Sequence, residues 1–311
     1  MSPPLPVTII IVSYHSREVL PACLDSVRAA GQAPVVVVDN ASGDGTPAMV
    51  QERFPEVTLM ANPQNLGFAA ACNQGARAAP TEYLLFLNPD TRLLPDSLTQ
   101  PLEFLQDPRH QSTGIVGIQL LDDHGRISRS CARFPTPGRF YARSLGLDRL
   151  LPRWFPSYRM TDWDHSRSQP VDHVIGAFYL VRRKVFEQLG GFDERFFVYL
   201  EDLDLSFRAH QAGWPCYYLA EAQAYHAGGG GATAVTADRL CYSLQSRLRY
   251  AAKHFHRWSA LGITLATLLV EPALRLLAAL CAGSFQQVSE TCRAYARLWR
   301  AVRVRSSHSP S

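Results

Sequence analysis

No two of the seven cysteines form a C-x-x-C pair; they stand singly at positions 23, 72, 131, 216, 241, 281 and 292. An odd, dispersed set argues against a disulfide framework and a structural zinc, and fits a reducing cytosol. The first twelve residues lack the basic segment and cleavable apolar run of a leader peptide. There are no internal repeats. Long apolar runs are scarce as well. The one membrane candidate, residues 261–270, is ten positions long and is followed at once by Glu271 and Pro272. Ten helical residues rise only ~15 Å, half of a bilayer core, so a simple transmembrane helix is not expected.

What is present is a 311-residue chain, 47% hydrophobic and 19% charged. That suffices for one large domain or a domain with an appendage, and it excludes disordered and collagen-like classes. The net charge of +4 hides a split. Residues 239–305 carry 11 Lys/Arg against Glu271 and Glu290, whereas residues 1–238 carry 20 Lys/Arg against 25 Asp/Glu. The body is acidic and the tail is basic.

Over the first 120 residues, short β-branched runs at 7–12, 35–38, 57–60, 83–87 and 115–120 alternate with helical stretches at 19–30, 46–54, 68–79 and 95–106. This pattern predicts βαβ units and a parallel sheet. Ligands then bind outside the carboxyl ends of the strands, where Ser13-Tyr14, Asp39-Asn40, residues 62–67 and Asn88-Pro89-Asp90 follow. Each of these polar groups could instead make a turn or a cap; all four together favour a site. Residues 126–167 hold nine arginines, seven aromatics and four prolines, which predicts an irregular excursion with one short helix near 141–151. An apolar strand is expected at 174–181 and a helix at 202–212, closed by Gly213. Beyond the four glycines at 228–231 the chain should be helical and basic.

Asp90, projecting from a strand end, is placed to hold a divalent cation against phosphate oxygens, since Mg²⁺ takes only one or two protein carboxylates. A turn aspartate is the plainer alternative. Glu201, Asp202 and Asp204 put three carboxylates into four residues beside large apolar side chains. One could be an N-cap, but a cap explains only one. Crowding in apolar surroundings raises carboxyl pKa values and suits a general base, with Arg208 able to pair with Asp204. His226, just before the glycines, is either structural or a second metal ligand under a closing loop.

The strings VTIIIVSYHSREVLPACLDSV, VVVVDNASGDGT, NLGFAAACNQG, LLFLNPDT and GAFYLVRRKVFEQLGGFDERFFVYLEDLDLSFRAHQAGW together resemble family 2 glycosyltransferases, most nearly their bacterial rhamnosyltransferase branch. The resemblance covers about residues 5–231. It implies an α/β GT-A fold, a Rossmann-like and mostly parallel sheet flanked by helices, here with a C-terminal helical extension. It further implies a nucleoside-diphosphate-sugar donor, Mg²⁺ or Mn²⁺, and inversion at the anomeric carbon. Carried over, Ser13, Tyr14 and Asp39 contact the nucleoside, and Asn65, Gly67 and Asn73 line the donor site. Asn88-Pro89-Asp90 stands where the family has D-x-D, so Asp90 is the metal ligand and Asn88 a donor contact. Glu201-Asp202 matches the family's ED pair, with Asp202 the catalytic base, and His226 stands where relatives bind metal. The Q-x-x-R-W signature of processive synthases is absent, which implies transfer of single residues.

The expected organisation is a catalytic domain at 1–231, with 126–167 an excursion on the acceptor side, a basic amphipathic helical extension at 232–305 and a disordered tail at 306–311. The expected donor is dTDP-rhamnose, with UDP-galactofuranose, UDP-glucose or UDP-N-acetylglucosamine as alternatives. The expected acceptor is a saccharide or lipid-diphosphate-linked saccharide in cell-envelope polysaccharide synthesis. The tail reads as an interfacial helix on the inner face of the cytoplasmic membrane, or as helices packing on the domain or on a second subunit of a homo-oligomer. A nucleic-acid-binding protein is the reading from another class, disfavoured by the acidic body.

Overall fold

The computed structural model describes residues 4–228 and 236–306, with side chains up to residue 302. Val7–Ser13 (β1) leads into Leu20–Ala30 (α1), Val35–Asp39 (β2), Thr46–Arg53 (α2), Thr58–Ala61 (β3), Phe68–Ala78 (α3) and Tyr83–Leu87 (β4). Every residue of β1 and β4 is buried, as expected of strands covered on both faces. Pro21 and Pro47 sit in the first turns of α1 and α2, where their missing N–H groups cost nothing. Thr46, a residue type that commonly caps helices, is here the first residue of α2. The Asp44 carboxylate caps it, accepting from the Thr46 N–H at 3.1 Å and its hydroxyl at 2.6 Å.

Next come Thr91–Leu93 (β5), Thr99–Gln106 (α4), Ile115–Leu121 (β6), Ile127–Ser128 (β7), Cys131–Ala132 (β8), Pro137–Ser144 (α5) and Leu147–Leu150 (α6). They are followed by Gln169–Val171 (β9), His173–Val174 (β10), Phe178–Arg182 (β11), Arg183–Gln188 (α7), Glu201–Gln211 (α8) and Cys216–His226 (β12). Last are Ala237–His254 (α9), Arg257–Leu265 (α10), Glu271–Cys281 (α11) and Phe285–Ser306 (α12). The chain divides into two compact units. One comprises the described residues of Met1–Phe134, Arg159–Phe197 and Glu201–Gly231; the other those of Pro135–Tyr158, Val198–Leu200 and Ala232–Ser311.

In the first unit the sheet runs β3-β2-β1-β4-β11-β6-β12-β5, with β7 beside β6 and β9 beside β12. The first four pair in parallel. β11 then enters antiparallel between β4 and β6, so the expected fifth parallel strand does not touch the fourth. The strand expected at 174–181 is in fact two. His173–Val174 pairs with β8 in a separate two-stranded sheet, and the chain turns through Ile175, Gly176 and Ala177 before β11 begins. Registers Ser13↔Asp39, Ile11↔Leu87 and Phe178↔Leu87 bring the ends of β1, β2 and β4 and the start of β11 to one rim.

The second unit is helical, and it includes α5 and α6, which replace the single helix expected near 141–151. The break falls at Gly146, whose φ of 71° few other residues adopt without strain. The apolar run at 261–270 does not stop at Glu271 and Pro272. A π-helical turn at Ala266–Val270 joins α10 to α11, and Arg257–Cys281 forms 25 residues with a mean hydropathy of 1.8. By length and composition this stretch could cross a membrane. The helix continues for a local reason: Glu271 is buried and neutralised by Arg247 and by Arg275, whose Nε lies 2.9 Å from Oε1. Pro272 falls in the first turn of α11, where it needs no donor. The tail expected at 306–311 lies, past Ser306, outside the described residues.

Candidate active site

Asp90 ends the turn between β4 and β5, and His226 ends β12. Antiparallel pairing sets His226 opposite Thr91, one residue from Asp90. His226 Nε2 therefore lies 3.3 Å from Asp90 Oδ1, with both side chains mostly buried. Neighbouring ligands of an octahedral Mg²⁺ at about 2.1 Å are about 3 Å apart, so this carboxylate–imidazole pair fits two adjacent positions on a cation. Among the described residues no third His, Cys, Asp or Glu joins them. Asn88 Nδ2 stands 3.4 Å from the same imidazole nitrogen. Of the four glycines after His226, Gly228 has φ 70°; Gly229–Gly231 lie outside the described residues.

At the ends of β1 and β2, Ser13 and Asp39 are buried side by side. Asp39 Oδ2 accepts from the Ser42 N–H at 2.8 Å, whereas Asp39 Oδ1 and Ser13 Oγ have no partner among the described residues. A buried polar atom left unmade costs about 1–3 kcal/mol, so these two retain unused capacity for a polar ligand. Tyr14, by contrast, is 53% exposed and packs edge-on to His15 at 4.4 Å. A network among the polar residues expected at these strand ends, joined by Gln74, holds the rim: the Asn40 amide donates to the Gly67 carbonyl at 3.0 Å, and the Asn62 amide to Asn40 Oδ1 at 3.0 Å and Gln74 Oε1 at 2.9 Å.

Gly67 begins α3 with φ 86°, and a Cβ there would fall 2.5 Å from the Phe197 carbonyl oxygen. Asn65 accepts from the Gly67 N–H at 2.9 Å, so its side chain shapes this turn. Asn73 is not brought to the rim. Its amide nitrogen donates to the Phe192 carbonyl and to Glu194 at 2.9 Å, and its oxygen accepts from the Phe192 N–H at 2.9 Å. It anchors the Gly191–Glu194 loop instead of facing a ligand.

Asp202 lies inside the first turn of α8, which removes the simple N-cap explanation. Its Oδ2 accepts from the Gly176 N–H at 2.8 Å and its Oδ1 from the Leu203 N–H at 2.8 Å. The next residue, Ala177, offers its carbonyl to the Asn88 N–H at 3.1 Å and to the Thr91 hydroxyl at 3.3 Å. Two consecutive residues thus tie Asp202 to the Asn88–Asp90 turn. The three carboxyls of the cluster differ. Asp204 is fully buried and paired with Arg208 at 2.7 Å, as the i, i+4 spacing predicts. Glu201 is buried with Oε2 unpartnered among the described residues; burial first, and then the charges of Asp202 and Asp204, push its carboxyl well above the usual range. Asp202, unlike the other two, has a partly accessible side chain.

Comparison with known proteins gives the family and the fold. The family model for Glycosyl transferase family 2 matches residues 8–190. A relative in Mycobacterium tuberculosis, "N-acetylglucosaminyl-diphospho-decaprenol L-rhamnosyltransferase", is 33% identical over 70% of this chain and 75% of its own. "Rhamnosyltransferase WbbL" of Escherichia coli is 28% identical over 57% of this chain and 64% of its own. Among solved structures, a mannosyltransferase from Pyrobaculum calidifontis in complex with GDP-Man and Mn2+ superposes with a TM-score of 0.54 at 22% identity, over 94% of this chain and 82% of that one. The fold is that of the GT-A glycosyltransferases. The chain belongs to glycosyl transferase family 2.

Proposed function

We propose that the protein is an inverting, metal-dependent transferase that moves L-rhamnose from dTDP-rhamnose to a lipid-diphosphate-linked saccharide in cell-envelope polysaccharide synthesis. The observation that supports the reading is the run of contacts from Asp202 through Gly176 and Ala177 to the Asn88–Thr91 turn, which carries Asp90 beside His226, so that a carboxylate able to act as a base lies near a pair able to hold a cation. The named activities of the mycobacterial and enteric relatives support rhamnose as the sugar, and the mycobacterial one supports a lipid-linked N-acetylglucosamine diphosphate as acceptor.

In this mechanism Asp202 takes the proton of an acceptor hydroxyl. The oxygen then attacks the anomeric carbon from the face opposite the diphosphate, and the carbon–oxygen bond to the diphosphate breaks with its electron pair leaving on the diphosphate. One displacement inverts the centre. Asp90 and His226 are the residues that would hold Mg²⁺ or Mn²⁺, which supplies Lewis-acid neutralisation of the leaving charge. Asp39 and Ser13 would satisfy the nucleoside with the oxygens left free in the fold, Tyr14 would stack on it, and Asn88 would contact the donor sugar.

Membrane contact through the second unit belongs to the same proposal. Leu261, Leu265, Leu269, Leu277 and Leu280 are exposed along one helical stretch, of whose most apolar window only 28% is buried, and its one carboxylate is neutralised internally. With Trp258 and Arg257 at one end and the exposed Arg293, Arg297 and Arg300 beyond the other, the stretch suits an anionic bilayer surface.

Thermal unfolding with Mg²⁺ or Mn²⁺ and a panel of dTDP-rhamnose, UDP-galactofuranose, UDP-glucose and UDP-N-acetylglucosamine tests the donor. Stabilisation greatest with dTDP-rhamnose is expected. Preference for a UDP-sugar would replace the donor, and indifference to all four would overturn the enzyme reading.

A further inference from the structure

Behind Asp202 lies a line of buried polar side chains with no part of its own in the chemistry. His173, Ser206 and Tyr179 are at most 3% exposed. His173 Nδ1 is 3.0 Å from Ser206 Oγ, and Ser206 Oγ is 3.0 Å from the Tyr179 hydroxyl. At the other end of the ring, His173 Nε2 faces Asp202 Oδ2 at 3.7 Å. Asp202 and Ser206 are four residues apart and so share a face of α8, which lets one imidazole of β10 meet both.

The order of protons along this line is determined by its ends. Were Tyr179 to spend its hydrogen on the Asp202 carbonyl, 3.5 Å away, Ser206 would donate to Tyr179 and Nδ1 would have to carry the ring proton. The lone pair of Nε2 would then point at a carboxylate. The opposite order has no such repulsion: Tyr179 donates to Ser206, Ser206 donates to Nδ1, and Nε2 carries the proton toward Oδ2. The groups acting on the ring are Asp202 and Ser206 from α8 and its chain neighbour Asp172, while Tyr179 of β11 and Cys216 of β12 meet Ser206 behind it. Burial outweighs the two aspartates and pushes the imidazole below its usual range, so it stays neutral.

We propose that His173 is a positioning residue for Asp202, locked by Ser206 and Tyr179 as the neutral Nε2–H tautomer so that its N–H dipole, with the Gly176 N–H, fixes the carboxylate's rotation. A neutral ring orients the carboxylate without forming the ion pair that would weaken it as a base. The inference rests on Asp202 being the base.

Nitrogen-15 histidine spectra of the wild-type chain test the lock without turnover. A neutral Nε2–H ring for His173 from about pH 6 to 8 is expected, with tautomer exchange appearing in Ser206→Ala; an imidazolium or an Nδ1–H ring at pH 7 would overturn the proposal. The kinetic arm uses dTDP-rhamnose and an N-acetylglucosaminyl-diphosphoryl lipid with Mg²⁺. His173→Ala should lower kcat roughly ten- to a hundred-fold, as loss of an orienting partner does, with donor KM unchanged. The acid limb of its kcat profile should move to higher pH, because the carboxylate loses the N–H dipole that faces it at 3.7 Å, and His173→Gln, whose amide can present an N–H there, should restore much of the rate. Should His173→Ala not fold, the Gln variant and the wild-type spectra still decide. An unchanged kcat and acid limb in the His173 variants, beside an inactive Asp202→Asn, would sink the positioning role. Full activity in Asp202→Asn would sink the base reading instead.

Discussion

Replacing Glu201 with glutamine should change how the protein's stability depends on pH. In the folded state burial, with Asp202 and Asp204 beside it, keeps the Glu201 carboxyl protonated well above the range of an exposed glutamate. An unfolded chain releases that proton above about pH 4.3. Between that value and the raised folded one, the native state binds more protons than the unfolded state. Stability then falls as pH rises, by about 1.4 kcal/mol for each pH unit. Glutamine does not titrate, so Glu201→Gln should lose this slope. The new amide brings a donor to a position where Oε2 has no partner among the described residues, a pH-independent cost of about 1–3 kcal/mol. The variant should therefore be the less stable form near pH 5 and gain on the wild type with each unit above it. For a unit of this size the gap in Tm should change by roughly 3–6 °C per pH unit. Thermal unfolding of both proteins from pH 5 to 8 measures it. Parallel curves across that range would show that the Glu201 carboxyl is not raised in the fold and would contradict the reasoning.

Gly67→Ala forces a Cβ to within 2.5 Å of the Phe197 carbonyl at a φ of 86°, so it should cost several kcal/mol or prevent folding, readable as loss of soluble, cooperatively melting protein. Gly176→Ala is subtler: its Cβ would touch Asp202 Oδ2 at 3.4 Å, and kcat should fall while Tm moves by only a few degrees. His226→Ala and Asp90→Asn should each weaken Mn²⁺-dependent donor binding at least about ten-fold in calorimetry; unchanged metal dependence in both would remove the pair from the metal site. Full-length protein with Leu265, Leu269 and Leu277 replaced by glutamine should no longer float with anionic liposomes, and wild-type-like flotation would remove the apolar stripe as the contact.

The parallel half of the sheet was legible because β1, β2 and β4 are short apolar runs separated by helices, two of which, α1 and α2, open with proline. The antiparallel direction of β11 was not legible, and β12 was not read as a strand, since pairing is set by tertiary neighbours. β12 does show period-two alternation in its last residues, a usable signal. The break at Gly176 hid inside an apolar run, and only the Asp202 carboxylate it serves explains it. The length of the apolar helical stretch was not legible because Glu271 and Pro272 follow the run at 261–270, whereas Glu271 is neutralised by Arg247, 24 positions earlier, and by Arg275. Asp90 and Asp202 were singled out in sequence at a strand end and a helix start, and His226 as the histidine before four glycines. His173 was not, because a lone buried histidine carries no pattern. Two successive non-glycine residues with left-handed backbone, Tyr199 and Leu200 at φ 70° and 65°, also precede α8 without any sequence sign.

The central claim is that Asp202 removes a proton rather than holding the donor. Calorimetric binding of dTDP-rhamnose with Mn²⁺, measured beside transfer kinetics for the wild type and Asp202→Asn, addresses it most directly. The account predicts a kcat lower by roughly 10²–10⁴-fold with a donor Kd within about three-fold of wild type. A donor affinity that falls as far as the rate would contradict it.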